Sequence, residues 1–141
     1  MTPRASIAAI AAGALALAAV SAPLAAADLA PGELAGVSLT QRGKGHLATV
    51  DQAGRHNSIV LNQSGAANTL SALQSGLDNT SSVQQNGSDN HATFLHDGWR
   101  NRAEIDQHGR LNTARIEQHG NDGKAKITQH GNGKTATIIQ Y

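Results

Sequence analysis

From Gln41 to Tyr141, apolar and polar positions alternate in short bursts that restart every eleven residues. One burst reads Asn101, Ala103, Ile105, Gln107; the next reads Asn112, Ala114, Ile116, Gln118. A period of two puts such residues on one face of a β-strand. Between bursts the parity breaks, and a Gly stands two places after each Gln, where a tight turn can use positive φ. The pattern therefore predicts units of one strand, about five residues long, and one turn. Asn is expected to take left-handed backbone in that turn and to bond its own backbone. The recurring glycines and β-branched strand positions oppose a helix.

The register runs without insertion or deletion. Stepping by eleven from Gln41 meets Gln52, Gln63, Gln74, Gln85, His96, Gln107, Gln118, Gln129 and Gln140. The turn glycines are Gly43, Gly54, Gly65, Gly76, Gly87, Gly98, Gly109, Gly120 and Gly131. Five places after Gln come Asn57, Asn68, Asn79, Asn90, Asn101 and Asn112, with His46, Gly123 and Lys134 in the remaining units. At plus nine a larger apolar residue dominates, as in Val50, Leu61, Phe94 and Ile138.

Repetition has a physical use here. An inward amide is costly to bury unless its donors and acceptors are met. In-register strands about 4.8 Å apart let each Gln bond the copies above and below it. Two eleven-residue units per coil predict an all-β, two-sided parallel solenoid with two ladders. One holds Gln41, Gln63, Gln85, Gln107 and Gln129; the other holds Gln52, Gln74, His96, Gln118 and Gln140. Glu104 and Lys126 would then meet on adjacent outward rungs. A three-sided coil, with three units per turn of the solenoid, satisfies the same eleven-residue step. A single coil buries too little apolar surface to offset its ordering entropy, so stability is expected to grow with stacking.

Composition changes the picture outside the repeat. Arg4, the apolar run Ile7 to Val20 and the small residues before Asp28 predict a secretory signal peptide over 1–27. The run is short for a membrane span, so the mature chain is expected to be exported and not membrane-embedded. Residues 28–36 form a short leader, and 37–141 the repeat domain. Without Arg4, ten Lys/Arg balance ten Asp/Glu, which argues against nucleic acid as a partner. There is no Cys and there are only three aromatics, Phe94, Trp99 and Tyr141, so neither disulfides nor an ordinary aromatic core holds the fold. The last strand ends in register at Ile139-Gln140-Tyr141, and its outward Thr137 and Ile139 carry no charge. Such an edge is expected to template another strand, so copies of the chain are its expected partners.

The unit Gln-x-Gly-x-x-Asn-x-Ala-x-x-x-Gln, clearest in QHGRLNTARIEQ (107–118) and QNGSDNHATFLH (85–96), resembles the curlin repeat. The resemblance implies a subunit of curli, the functional amyloid fibres of bacterial surfaces. It implies export through an outer-membrane curli secretion pore with accessory factors, assembly with itself or another curlin subunit, and roles in biofilm matrix and adhesion. The unbroken eleven-residue step resembles minor, nucleating curlins; the Gln-Tyr ending resembles major ones. The reading favours the major subunit, with the nucleator and a monomeric solenoid adhesin as alternatives.

Other chemistries find little support. No P-loop, dinucleotide fingerprint or Cys nucleophile is present, so no enzyme and no cofactor is expected. Plus eight reads Thr49, Val60, Ser71, Ser82, Thr93, Glu104, Arg115, Lys126, Thr137, too mixed for an ice-binding array. Three aromatics cannot supply the girdles of an outer-membrane barrel. His108, His119 and His130 recur after Gln; two such imidazoles on one side make a poor metal site but would repel once charged. Glu104, Asp106, Arg115 and Glu117 read as solvated strand faces, or as gatekeepers against premature aggregation.

Overall fold

The computed structural model describes the backbone of residues 4–10 and the whole of residues 36–141. The expected cleavage region and residues 28–35 of the expected leader lie outside the described residues. Strand β1 (Arg4–Ile10) precedes ten strands of the repeat. These are β2 (Gly36–Lys44), β3 (Leu47–Arg55), β4 (Ser58–Ala66), β5 (Thr69–Leu77), β6 (Thr80–Ser88), β7 (His91–Trp99), β8 (Arg102–Arg110), β9 (Thr113–Asn121), β10 (Lys124–Asn132) and β11 (Thr135–Gln140).

Successive strands alternate between two sheets. One has the order β2-β4-β6-β8-β10, the other β1-β3-β5-β7-β9-β11. Within the repeat every pair is parallel and in register two units apart: Ile105 faces Ile127, Gln107 faces Gln129, Gly109 faces Gly131. The coil is therefore two-sided, and the three-sided alternative falls. β1 differs, lying antiparallel on the outer edge of β3 with Ile7 opposite Val50.

The strands are longer than their hydrophobic bursts. Most run nine residues and include the glycine, as in Leu47–Arg55, instead of the five expected. The reason lies between coils. Gly87 aligns with Gly109, so the ladder continues through the glycine and into the corner. Even the corner residues pair across coils: Ser58 N–H donates to Asn79 O at 2.8 Å, and Asp78 N–H to Arg55 O at 3.1 Å. An unpaired corner amide would be left dry against the next coil.

Gly87 shows why this position carries no side chain. Its φ is 123°, and a Cβ there would run into the carbonyl of Gly109 one coil on. The second strained position is not the Asn, contrary to expectation. It is the residue before it: His56, Ala67, Asp78, Asp89, Arg100, Leu111 and Asp122 have φ of 53–59°. The Asn side chain turns inward, and closing the corner onto the opposite sheet forces the preceding residue left-handed.

Between the sheets lies a thin apolar layer, with Val50, Ile59, Leu61, Phe94, Ile105 and Ile116 buried beside Ala48, Ala92, Ala103 and Ala114. Strand alternation produces it: β6 buries Ser81, Val83 and Gln85 and exposes Thr80, Ser82 and Gln84. Among the described residues, no helix is long and apolar enough to cross a membrane.

Candidate assembly site: the stacked amide ladders

The inward Gln of each unit sits where strand meets corner, so its amide reaches along the stack. In the β2–β10 sheet Nε2 donates to the next Oε1 from Gln41 to Gln63 (2.8 Å), Gln63 to Gln85 (2.8 Å), Gln85 to Gln107 (2.9 Å) and Gln107 to Gln129 (2.8 Å). The second Nε2 hydrogen goes to a backbone carbonyl of the facing sheet, as from Gln85 to Thr69 O at 3.2 Å and from Gln107 to His91 O at 3.1 Å. Gln63, Gln85 and Gln107 thus tie neighbouring coils together and also tie the two sheets. All four ladder amides donate in the same sense, toward the C-terminal coil.

The opposite ladder is interrupted. Gln52 bonds Gln74 at 2.9 Å, and Gln118 bonds Gln140 at 2.7 Å. Between them stands His96, buried, with its Nδ1 3.5 Å from Gln74 Nε2. His96 Nε2 and Gln118 Oε1, on adjacent rungs, have no hydrogen-bond partner. The substitution for Gln is only partial, because a rigid ring cannot reach as far as a flexible amide. Gln74 compensates by donating to Ser81 Oγ at 2.7 Å. Burial beside Phe94 pushes the His96 imidazole down to about 4, since a charge there would be desolvated.

The Asn column forms a second set of cross-coil bonds. Asn79 Nδ2 donates to Ser75 O at 2.9 Å, closing its own corner, and to Gly98 O at 3.0 Å on the next coil. Its Oδ1 accepts the N–H of Asn101 at 3.0 Å. Asn57, Asn68, Asn90, Asn101 and Asn112 repeat the bond to the next coil's glycine carbonyl at 2.8–3.2 Å. His46 fills the same place with ring atoms: Nδ1 accepts the N–H of Asn68 at 3.3 Å, and Nε2 lies 3.0 Å from Arg42 O. Asn is required here as a connector between coils.

Outside, Lys126 and Glu104 meet at 2.8 Å on adjacent rungs of β10 and β8, and this contact raises the Lys126 pKa. One corner column alternates in charge, which the sequence reading missed: His56–Asp78 at 3.3 Å and Arg100–Asp122 at 2.8 Å. The signal was present as opposite charges two units apart at the position before Asn. His108 and His130 stack with centroids 5.0 Å apart, and His119 stacks on Tyr141 at 5.6 Å. Among the described residues, no group of three or more His, Cys, Asp or Glu is placed to hold a metal ion.

This geometry defines a class: a parallel two-sheet solenoid whose interior amides hydrogen-bond their own copies along the stack. The curlin associated repeat matches the chain at residues 36–65, covering β2 to β4, and at residues 98–131, covering β8 to β10. The chain thus carries the curlin associated repeat at two places along the solenoid. No curated protein and no solved structure matches it.

Proposed function

We propose that the chain is a structural subunit of an extracellular curli-type amyloid fibre, and specifically the major, fibre-forming one. The observation that carries this reading is the directionality of the Gln ladders. Gln41 and Gln52 point acceptors out of the N-terminal coil, while Gln129 and Gln140 each spend one Nε2 hydrogen on a facing carbonyl, Thr113 O and Lys124 O. The other hydrogen of each remains for a further coil. One end therefore complements the other, as a self-templating stack requires. Both the family and the fold are structural.

The proposal includes export. Removal of residues 1–27 would take β1 off β3 and open that edge. Passage through an outer-membrane secretion pore with accessory factors, and service in biofilm matrix and adhesion, complete the reading. The unbroken eleven-residue step supports a second reading, a minor subunit that nucleates another curlin.

The test is a thioflavin T time course on the exported chain at several concentrations, with and without preformed seeds. A lag erased by seeds and a 4.7–4.8 Å reflection from the product are expected. A flat trace from a folded monomer would instead leave a monomeric solenoid adhesin. Acceleration of a different curlin at substoichiometric dose, without fibres of its own, would assign the nucleator.

A further inference from the structure

Resting on the fibre reading, in which copies dock in continuous coil register, we propose that the outward face of this junction carries an acid-sensitive contact, His130 against Arg42 of the following copy.

Among the described residues, β10 and β11 each have one hydrogen-bonded neighbour, as does β2. Continuing the two-unit register sets β2 of the next copy on β10, and β3 on β11. The strand interior then stays chemically uniform: Ile127 meets Leu39, Gln129 meets Gln41, Ala136 meets Ala48 and Gln140 meets Gln52, while at the corner column Lys134 meets His46. Head-to-head docking would instead set acceptor amides against acceptor amides, because both ladders donate toward the C-terminal coil. Gln52 Oε1 has no hydrogen-bond partner within the chain.

The same register decides the outward contacts. Lys124 and Lys126 fall opposite Gly36 and Ser38, Asn132 opposite Lys44, and Ile139 opposite Asp51. None of these is a like-charge pair. His130 falls opposite Arg42, and histidine is the side chain that gains its charge between pH 8 and 5. Behind His130, His108 stacks almost parallel, with ring planes 8° apart. The titratable groups around His130 are His108, Asp106 and Arg110 of β8, Lys126 of its own strand, Lys134 at the following corner, and Arg42 and Lys44 of the next copy. Asp106 is the only acid among them, and it lies 2.8 Å from His108 Nε2. With protons on both rings the column would hold three cations, His108, His130 and Arg42, with one carboxylate at its far end. The like charge at the junction then opposes docking of the next copy.

Seeded elongation of the exported chain at pH 7.5 and pH 5.0 tests this. The variants are H130N and R42S, which install residues that the same column already carries at Asn86 and Ser64. The acid slowing is expected to be about fivefold larger in the unsubstituted chain than in either variant, the effect of one near-surface like-charge contact. The double variant should match the singles, since both remove the same pair. H119N, on the other sheet, should slow like the unsubstituted chain. Equal slowing in H130N, R42S and the unsubstituted chain would overturn the proposal. Failure of every form to elongate at pH 7.5 would remove the fibre reading itself, and the junction with it.

Discussion

His96 and Gln118 lie on adjacent rungs of one ladder, and neither His96 Nε2 nor Gln118 Oε1 has a hydrogen-bond partner. A neutral imidazole carrying its proton on Nε2 preserves the sense of the ladder, accepting from Gln74 at Nδ1 and presenting a donor toward Gln118. The reach falls short, so this rung is the weak point of the interior.

Replacing His96 by Gln should make the ladder continuous. Two well-formed amide bonds in place of one long contact and two orphaned atoms are expected to add about 1–3 kcal/mol. The measurement is the guanidinium midpoint of the assembled protein. A lower midpoint for H96Q would mean that the ring packs against Phe94 better than an amide can.

The same residue predicts an acid dependence. Its folded pKa, about 4, lies below the usual 6.5, so the unfolded chain binds the extra proton first as pH falls. The favourable contribution is complete above pH 6.5 and is lost progressively down to about pH 4, amounting to about 3 kcal/mol. Guanidinium midpoints measured across that window should fall in the unsubstituted chain and stay nearly level in H96Q. Parallel curves for the two would refute the assignment.

Gly87 and Gly133 both have positive φ, at 123° and 65°, but only Gly87 lies against the next coil. G133A should cost about 1–2 kcal/mol, the ordinary penalty of left-handed backbone. G87A adds a collision with the Gly109 carbonyl and should cost at least about 3 kcal/mol, or abolish assembly. Paired unfolding curves give the comparison, and equal losses would show that backbone conformation alone selects glycine.

The Asn90 side chain makes three cross-coil bonds: Nδ2 to Asn68 Oδ1 at 3.1 Å, Nδ2 to Gly109 O at 3.0 Å, and Oδ1 from Asn112 N–H at 3.2 Å. N90A removes side-chain bonds to two buried backbone groups, Gly109 O and Asn112 N–H, while Asn68 Oδ1 keeps the Asn90 N–H, so a loss of about 2–4 kcal/mol is expected. S82A, an exposed strand position, should change the midpoint by less than about 0.5 kcal/mol. Similar effects from the two would argue that the Asn column is not a connector.

Much of the fold could be read in advance because a solenoid states its contacts as a period. The Gln step named the stacking partners, and Glu104 with Lys126 pointed to two units as the coil. The corner was harder. Gly45, Asp78, Asp89, Asp122 and Gly133 in this column tolerate left-handed backbone, but Ala67, Arg100 and Leu111 do not mark it, since there the conformation is imposed by closing the chain onto the opposite sheet. Strand length was understated for a related reason: the hydrophobic burst ends at Gln, while the backbone ladder continues through a glycine that buries no side chain.

Sequence alone determined which positions of the unit stack on which, because identical groups at a constant step satisfy one another only in register, and the fold settled that the partner lies two units away. Tertiary structure decided the direction of the ladders. An amide holds a donor and an acceptor at nearly equal reach, so repetition cannot say which way each one points. In the folded coil the second Nε2 hydrogen of Gln85 has one carbonyl to meet, Thr69 O on the facing sheet, and that bond orients the amide. The same arrangement at Gln63, Gln107 and Gln129 makes the stack directional from end to end.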